Sequence, residues 1–357
     1  MQHVIRGRGC LTGINIASVL EALYVQKPLL ICGARMAEVF RSRTGMDWPV
    51  FSGYHPNPDL ADSTAGAAMY REMGCDGLIS LGGGSAMDTA KAIKALLLTG
   101  DMERVKRSEL PTDVWLPHVA IPGTAGTGSE ATPFAVVYVN EQKLSLDHPQ
   151  LLPEAVVLDG SLLTTLPEYH RKACAMDALA QGIESFWASG ATEESRGHAV
   201  AAVRGVLEHI DAYLAGNDAA QEGMLAAAYE SGVAIATSRT TAAHAMSYGL
   251  TKRLGYAHGH ACMLTLPHLW RLALVDAQVR PVQERLAREL GLADAWALSD
   301  VLLDLMKRLQ LTVNVPTDLE LLEALAATVN VQRLGNHPQQ LSEMQLAHIY
   351  AQALRMQ

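Results

Sequence analysis

The sequence predicts an α/β N-terminal dinucleotide-binding domain, built on a parallel, doubly wound sheet, followed by an all-α C-terminal domain. Up to about residue 160, short apolar runs alternate with helical patterns, which is how strands and crossover helices alternate in a parallel sheet. Beyond Leu166-Pro167-Glu168 the periodicity is almost wholly helical. Near residue 82 a glycine-rich turn leaves an apolar run and enters a helix, a junction suited to holding phosphate. At 357 residues, 49% of them hydrophobic, the chain exceeds what one core usually holds, so two domains, 1–160 and 161–357, are expected.

Each element follows from a local pattern. Pro28-Leu29-Leu30-Ile31-Cys32 reads as the first strand, and a helix runs through 36–43. A second helix over 59–73 feeds the strand Gly77-Leu78-Ile79-Ser80-Leu81, which is short and apolar enough to be buried on both faces. Val119-Ala120 belongs to another apolar stretch, and Val156-Val157-Leu158-Asp159 is the last strand of the sheet. Helices follow near 168–189, 193–214, 218–237, 240–253 and 259–275, with more towards the C-terminus.

Composition excludes several function classes. A net charge of −9 argues against nucleic acid or an anionic membrane as the main partner. No run of about 18 consecutive apolar residues is present, and the first residues lack the apolar core of a leader, so a soluble, unexported protein is expected. Cys10, Cys32, Cys75, Cys174 and Cys262 are odd in number, scattered and without paired spacing, which fits a reducing cytoplasm.

Two segments carry cofactor chemistry. In GGGSAMDTAK, residues 82–91, Gly83 and Gly84 let the backbone approach a pyrophosphate while the new helix offers unpaired N–H groups. Ser85 can donate one more bond, and Asp88 either accepts from a cofactor amide or ribose or favours the helix N-terminus electrostatically. In IPGTAGTGSE, residues 121–130, hydroxyls alternate with glycines, a composition that no helix or strand interior would choose. The segment is either a surface loop or a second lip of the cofactor cleft, with Thr124 and Thr127 donating to phosphate or ribose.

These two motifs, together with FSGYHPNP at 51–58, resemble the GGGSxxDxAK, IPTTAGTGSE and FxGxxPNP stretches of the iron-containing (group III) alcohol dehydrogenase family, and the resemblance runs end to end. It implies the architecture shared with dehydroquinate synthase, an NADH- or NADPH-dependent alcohol dehydrogenase or aldehyde reductase, and a homodimer. Gly33 stands where the family often has an Asp, and Arg35 follows two residues later. That pair either tolerates the 2′-phosphate of NADPH or is a tight turn with a solvated arginine. Lys143 and Leu162 fall near positions that resemble cofactor contacts in the family.

The helical half holds a second constellation. Asp177 and Gln181 share one helical face at i and i+4, as do His244 and Tyr248, and His258 opens the next helix. The resemblance implies a divalent metal, Fe²⁺ or alternatively Zn²⁺, held by an Asp, a His four residues later and two further His. Asp177, His244 and His258 match three of these ligands, while Gln181 departs from the fourth. A neutral amide binds a borderline ion less strongly than imidazole, so either affinity falls or the group is a polar, metal-free substrate pocket. Tyr248 and His258 are the candidate proton donors, Tyr248 being otherwise an aromatic wall; His260 and His268 are read as core or rim residues.

Arg239, Lys252 and Arg253 are either solvated cations or, pointing inward, the grip on an anionic aldehyde. The stretches at 177–195 and 240–261 resemble the phosphonoacetaldehyde reductase (hydroxyethylphosphonate dehydrogenase) branch, which implies reduction of phosphonoacetaldehyde. A dehydrogenase of neutral short-chain alcohols or diols, a dehydroquinate synthase-like lyase or cyclase, and a catalytically silent relative are the alternatives.

Overall fold

A computed structural model describes residues 2–140, 142–329 and 334–355. Cα proximity groups the chain into two compact units, Met1–Thr165 with Gly216–Leu225, and Leu166–Ala215 with Ala226–Gln357.

The first unit is built on a six-stranded sheet in the order β1-β8-β5-β4-β2-β3, every described pairing being parallel. Its strands are β1 (His3–Arg6), β2 (Pro28–Ile31), β3 (Val50–Phe51), β4 (Gly77–Gly82), β5 (His118–Pro122) and β8 (Ala155–Leu158). Alternate residues of each strand point to opposite faces, so Leu29, Ile31 and Leu78 enter one core while Leu30, Cys32, Ile79 and Leu81 enter another. The first core is closed by α3 (Leu60–Glu72) and α4 (Gly84–Thr99), the second by α1 (Gly13–Ala22) and α2 (Ala34–Thr44). Helices on both faces make the sheet doubly wound.

Two expectations are corrected. The strand at 28–31 is the second in chain order, because His3–Arg6 adds an edge strand beside β8. Its polar ends His3 and Arg6 are exposed, so no apolar run marks it. Two strands unassigned from sequence, β6 (Phe134–Val139) and β7 (Gln142–Asp147), pair antiparallel, with Asn140 in the left-handed region at φ 49°.

The second unit is helical: α6 (Glu168–Trp187), α7 (Glu193–Leu214), α8 (Asp218–Ser238, whose first turns belong to the first unit), α9 (Ala242–Leu254), α10 (His258–Ala273), α11 (Arg280–Glu289), α12 (Ala295–Arg308), α13 (Leu319–Ala326) and a C-terminal helix, Glu343–Ala353. Both α7 and α10 pack against α6, and α9 packs against α10. α6 is buried almost continuously from Ala173 to Trp187, so small residues set how closely its neighbours approach. A Cβ on Gly182 would come within 2.8 Å of Val203 on α7. One on Gly259 would collide with the Ala173 carbonyl oxygen and the Asp177 backbone nitrogen, so the first turn of α10 rests directly on α6.

Candidate functional site

In the first unit the two glycine segments lie side by side. β4 and β5 are in register at Gly82 and Pro122, and Gly123 N donates to Gly82 O at 2.7 Å. Gly82 has φ 150°, outside the reach of ordinary L-residues, and turns the chain into α4, whose N-cap Gly83 supplies no side-chain bond. A Cβ at Gly83 would sit 3.3 Å from Thr124, and one at Gly84 3.1 Å from Thr127. The helix N-terminus and the two threonines therefore lie in one cradle, packed closely enough that a Cβ on either glycine would crowd it, and its unpaired N–H groups are the material of an anion site. Ser85 Oγ accepts from Asn57 N at 3.3 Å, which ties the FSGYHPNP stretch to the same place.

Asp88 is half-buried and uses both oxygens internally, accepting from Ser129 Oγ at 2.8 Å and Val136 N at 3.1 Å. Burial raises its pKa against the pull of Lys91 and these bonds. Lys91 is buried. Its ammonium donates to the carbonyl oxygens of Ser129, Thr132 and Phe134 at 2.6–2.9 Å and to the hydroxyls of Ser129 and Thr132. Burial lowers it to about 8, with Asp88 and Glu130 opposing. Gly33, exposed at the N-cap of α2, has no atom within 4 Å of a built Cβ, and Arg35 is exposed two residues on. Lys143 is half-buried on β7, and Leu162 is buried in the core beside α1 and α2.

In the second unit Asp177 from α6, His244 from α9, and His258 and Cys262 from α10 bring one donor atom each to within 4.8 Å of one another. His244 Nε2 is 3.3 Å from Asp177 Oδ1, His258 Nε2 is 3.8 Å from the same oxygen, and Cys262 Sγ is 3.9 Å from His258 Nε2. Behind them, Glu184 takes the Nδ1–H of His244 and also accepts from Thr241 Oγ1 at 2.6 Å and Ala243 N at 2.7 Å. Ser247 gives its single proton to His244 O at 2.8 Å, so its oxygen accepts from His258 Nδ1–H at 3.1 Å. An outer donor or acceptor on each ring is how metal-binding imidazoles are held in one tautomer.

Charge in the cluster is tightly coupled. Burial would push His244 down, but Cys262 and Glu184 outweigh it and hold its pKa well above the ordinary value. Burial pushes the Cys262 thiol up, but His244 and His258 bring it to about 7. Gln181 Oε1 lies 2.8 Å from Ser231 Oγ of α8, a hydroxyl equally close to Ala228 O.

One matching family model, iron-containing alcohol dehydrogenase, covers residues 2–160, and a second, the Fe-containing alcohol dehydrogenase family C-terminal region, covers residues 172–354. The chain belongs to the iron-containing alcohol dehydrogenase family. It is 40% identical over 232 residues to the phosphonoacetaldehyde reductase of Streptomyces viridochromogenes, a match covering 61% of this chain and 58% of that protein. The chain thus spans less than two thirds of that relative's length. It is 31% identical over 318 residues to the 4-hydroxybutyrate dehydrogenase of Cupriavidus necator, covering 83% of each. The crystal structure of the sulfoacetaldehyde reductase from Bifidobacterium kashiwanohense in complex with NAD⁺ superposes with a TM-score of 0.90 at 28% identity, covering 98% of this chain and 96% of that one.

Within this family member the remaining candidates are spread over α8–α10. The Tyr248 ring is half-buried, 6.3 Å from that of His258. Arg239 is half-buried just past α8, in the left-handed region at φ 65°, whereas Lys252 and Arg253 are exposed on the last turn of α9. There they complement the helix C-terminus. His260 is structural, with Nε2 on Leu311 O at 2.6 Å and Nδ1 beside Tyr169 Oη at 3.1 Å. Cys262 and Glu184 were missed from sequence. Cys262 lies four residues after His258 and Glu184 seven after Asp177, so helical spacing alone places each on its partner's face.

Proposed function

We propose that this chain reduces a small anionic aldehyde to its alcohol with NADH or NADPH, phosphonoacetaldehyde to 2-hydroxyethylphosphonate being the favoured reaction. The observation that carries the reading is the pair of relatives named for phosphonoacetaldehyde and sulfoacetaldehyde. Both are two-carbon aldehydes ending in a tetrahedral oxyanion. The 4-hydroxybutyrate dehydrogenase relative is likewise named for a substrate with a terminal anion.

The residues fit the two groups the family implies. The cradle of Gly83, Gly84, Thr124 and Thr127 suits a pyrophosphate, and the nicotinamide cofactor bound there would supply the hydride. Asp177, His244 and His258 suit Fe²⁺ or Zn²⁺, which would polarise a carbonyl oxygen as negative charge develops on it. Glu184 and Ser247 hold the two imidazoles in their ligating tautomer. Tyr248 is the candidate donor of the alcohol proton, and Arg239, half-buried, precedes the exposed Lys252 and Arg253 as the candidate partner of the substrate anion. The domain limits 1–160 and 161–357, a homodimer and a cytoplasmic location belong to the same reading.

The test is NAD(P)H absorbance against a panel of phosphonoacetaldehyde, sulfoacetaldehyde, succinic semialdehyde and propanal. Stoichiometric cofactor oxidation with the anionic aldehydes, and weak turnover of propanal, is expected. Turnover of propanal alone would replace this reading by that of a neutral-alcohol dehydrogenase. No net oxidation with any of them would leave the lyase or the silent relative.

A further inference from the structure

We propose that Cys262 is the fourth protein ligand of the metal centre, binding as a thiolate beside Asp177, His244 and His258, and that Gln181 stands outside the coordination sphere. The inference rests on the metal-centre reading given above and goes beyond it by naming the donor that the sequence left open.

Geometry carries it. A tetrahedral ion with ligand bonds of about 2.0–2.3 Å places its donors roughly 3.3–3.8 Å apart. The observed separations are 3.3 Å for His244 Nε2 to Asp177 Oδ1, 3.8 Å for His258 Nε2 to the same oxygen, and 3.9 Å for Cys262 Sγ to His258 Nε2. Both imidazoles give their Nδ1 protons away from the cluster, His244 to Glu184 and His258 to Ser247. In their neutral forms both Nε2 lone pairs therefore aim inward, at a carboxylate and a sulfur. His244 Nε2 is buried and lies at ion-pair range of Asp177 Oδ1. A cation between these converging donors would offset their mutual repulsion.

Gln181 differs in its chemistry and in having a partner on α8. Its Oε1 lies 2.8 Å from the Ser231 hydroxyl, which it shares with Ala228 O, so the pair links α6 to α8. A thiolate is also the better donor for a borderline ion than a neutral amide. On binding, the metal–sulfur bond forms and the thiol proton leaves to solvent.

The test is cobalt substitution of the intact protein at one equivalent of Co²⁺. Ligand-field bands in the visible and a thiolate-to-cobalt charge-transfer band in the near ultraviolet are expected. Cys262→Ser should lose the charge-transfer band, keep the visible bands and weaken Co²⁺ retention against a competing chelator by roughly tenfold or more. Gln181→Ala should keep both spectra. A charge-transfer band that survives in Cys262→Ser, or disappears in Gln181→Ala, overturns the assignment. Should Cys262→Ser not fold, the parent protein decides: visible bands without charge transfer overturn Cys262 while the metal centre stands. Failure of the parent to take up cobalt overturns the metal centre itself.

Discussion

The cradle of the first unit is made from backbone, with Gly82, Gly83 and Gly84 beside the hydroxyls of Thr124 and Thr127, whereas the cluster of the second unit is made from four side chains on three helices. In the cradle the decisive property of each residue is the Cβ it lacks. In the cluster it is the atom each residue carries, and a second rank, Glu184 and Ser247, is needed to aim it. A backbone site is therefore broken by adding atoms and a side-chain site by removing them.

The largest expected effects set the two against each other. His258→Ala should lose both metal and turnover, by roughly a thousandfold or more in kcat if the ion is the electrophile, while NAD(P)H binding stays near parent levels. Gly84→Val should do the reverse, losing NAD(P)H binding by at least about a hundredfold as the new side chain meets Thr127, with metal content and helical circular dichroism unchanged. Cofactor fluorescence titration and elemental analysis read both. Equal loss of both ligands in either variant would mean that the two regions do not act separately. Full activity in metal-free protein, undiminished by chelator, would sink the Lewis-acid role.

Next in size is Gly259→Ala. The added methyl would press on the Ala173 carbonyl and on Asp177, so α10 must move off α6 and carry His258 with it. A loss of about 3 kcal/mol in urea unfolding is expected, together with weaker metal retention. Loss of stability with metal affinity intact would show that α10 moves without shifting His258 against Asp177.

Much of this was legible in the sequence, and the misses have physical causes. The two glycine segments stand out in the sequence because their residues are contiguous and their composition suits no regular element. Long helices such as Glu193–Leu214 were found because their apolar period spans several turns. β1 was missed because an edge strand of four residues with polar ends has no apolar run. Cys262 reads in the sequence as one of five scattered cysteines without paired spacing, and only packing of three helices shows what it faces. Lys91 belongs to a helix motif in the sequence, and its role is set by loop carbonyls some forty residues away.

Acid should separate the two regions more gently. Burial pushes His268 and His337 down to about 4, so both stay neutral in the folded chain while the unfolded chain protonates them near 6.5. Between these values the unfolded state binds more protons, and stability falls as pH falls from about 6.5 towards 4. For His337, buried edge-on against Trp187, the ceiling is roughly 3 kcal/mol. His337→Phe should flatten that limb of the urea-midpoint profile, and an unchanged slope would assign the acid lability to other groups.

The smallest effect sharpens cofactor choice. Gly33→Asp meets no atom and needs no unusual backbone, so stability should hold while preference shifts towards NADH by about tenfold, ~1.4 kcal/mol. An unchanged ratio of NADPH to NADH affinity would place the 2′-phosphate elsewhere.

Lys91 gives the hydroxyl-rich loop a further property. Three of its five acceptors are main-chain carbonyls, which every amino acid possesses. The loop is thus wrapped around a cation tethered to α4, much as a crown ether wraps an ion, and its path is inherited from the helix more than from its own spelling. The hydroxyls of Ser129 and Thr132 add the other two acceptors, but the curve of 129–134 is held mostly through backbone, so a chimera that transplants this loop keeps its shape only if the lysine travels with it.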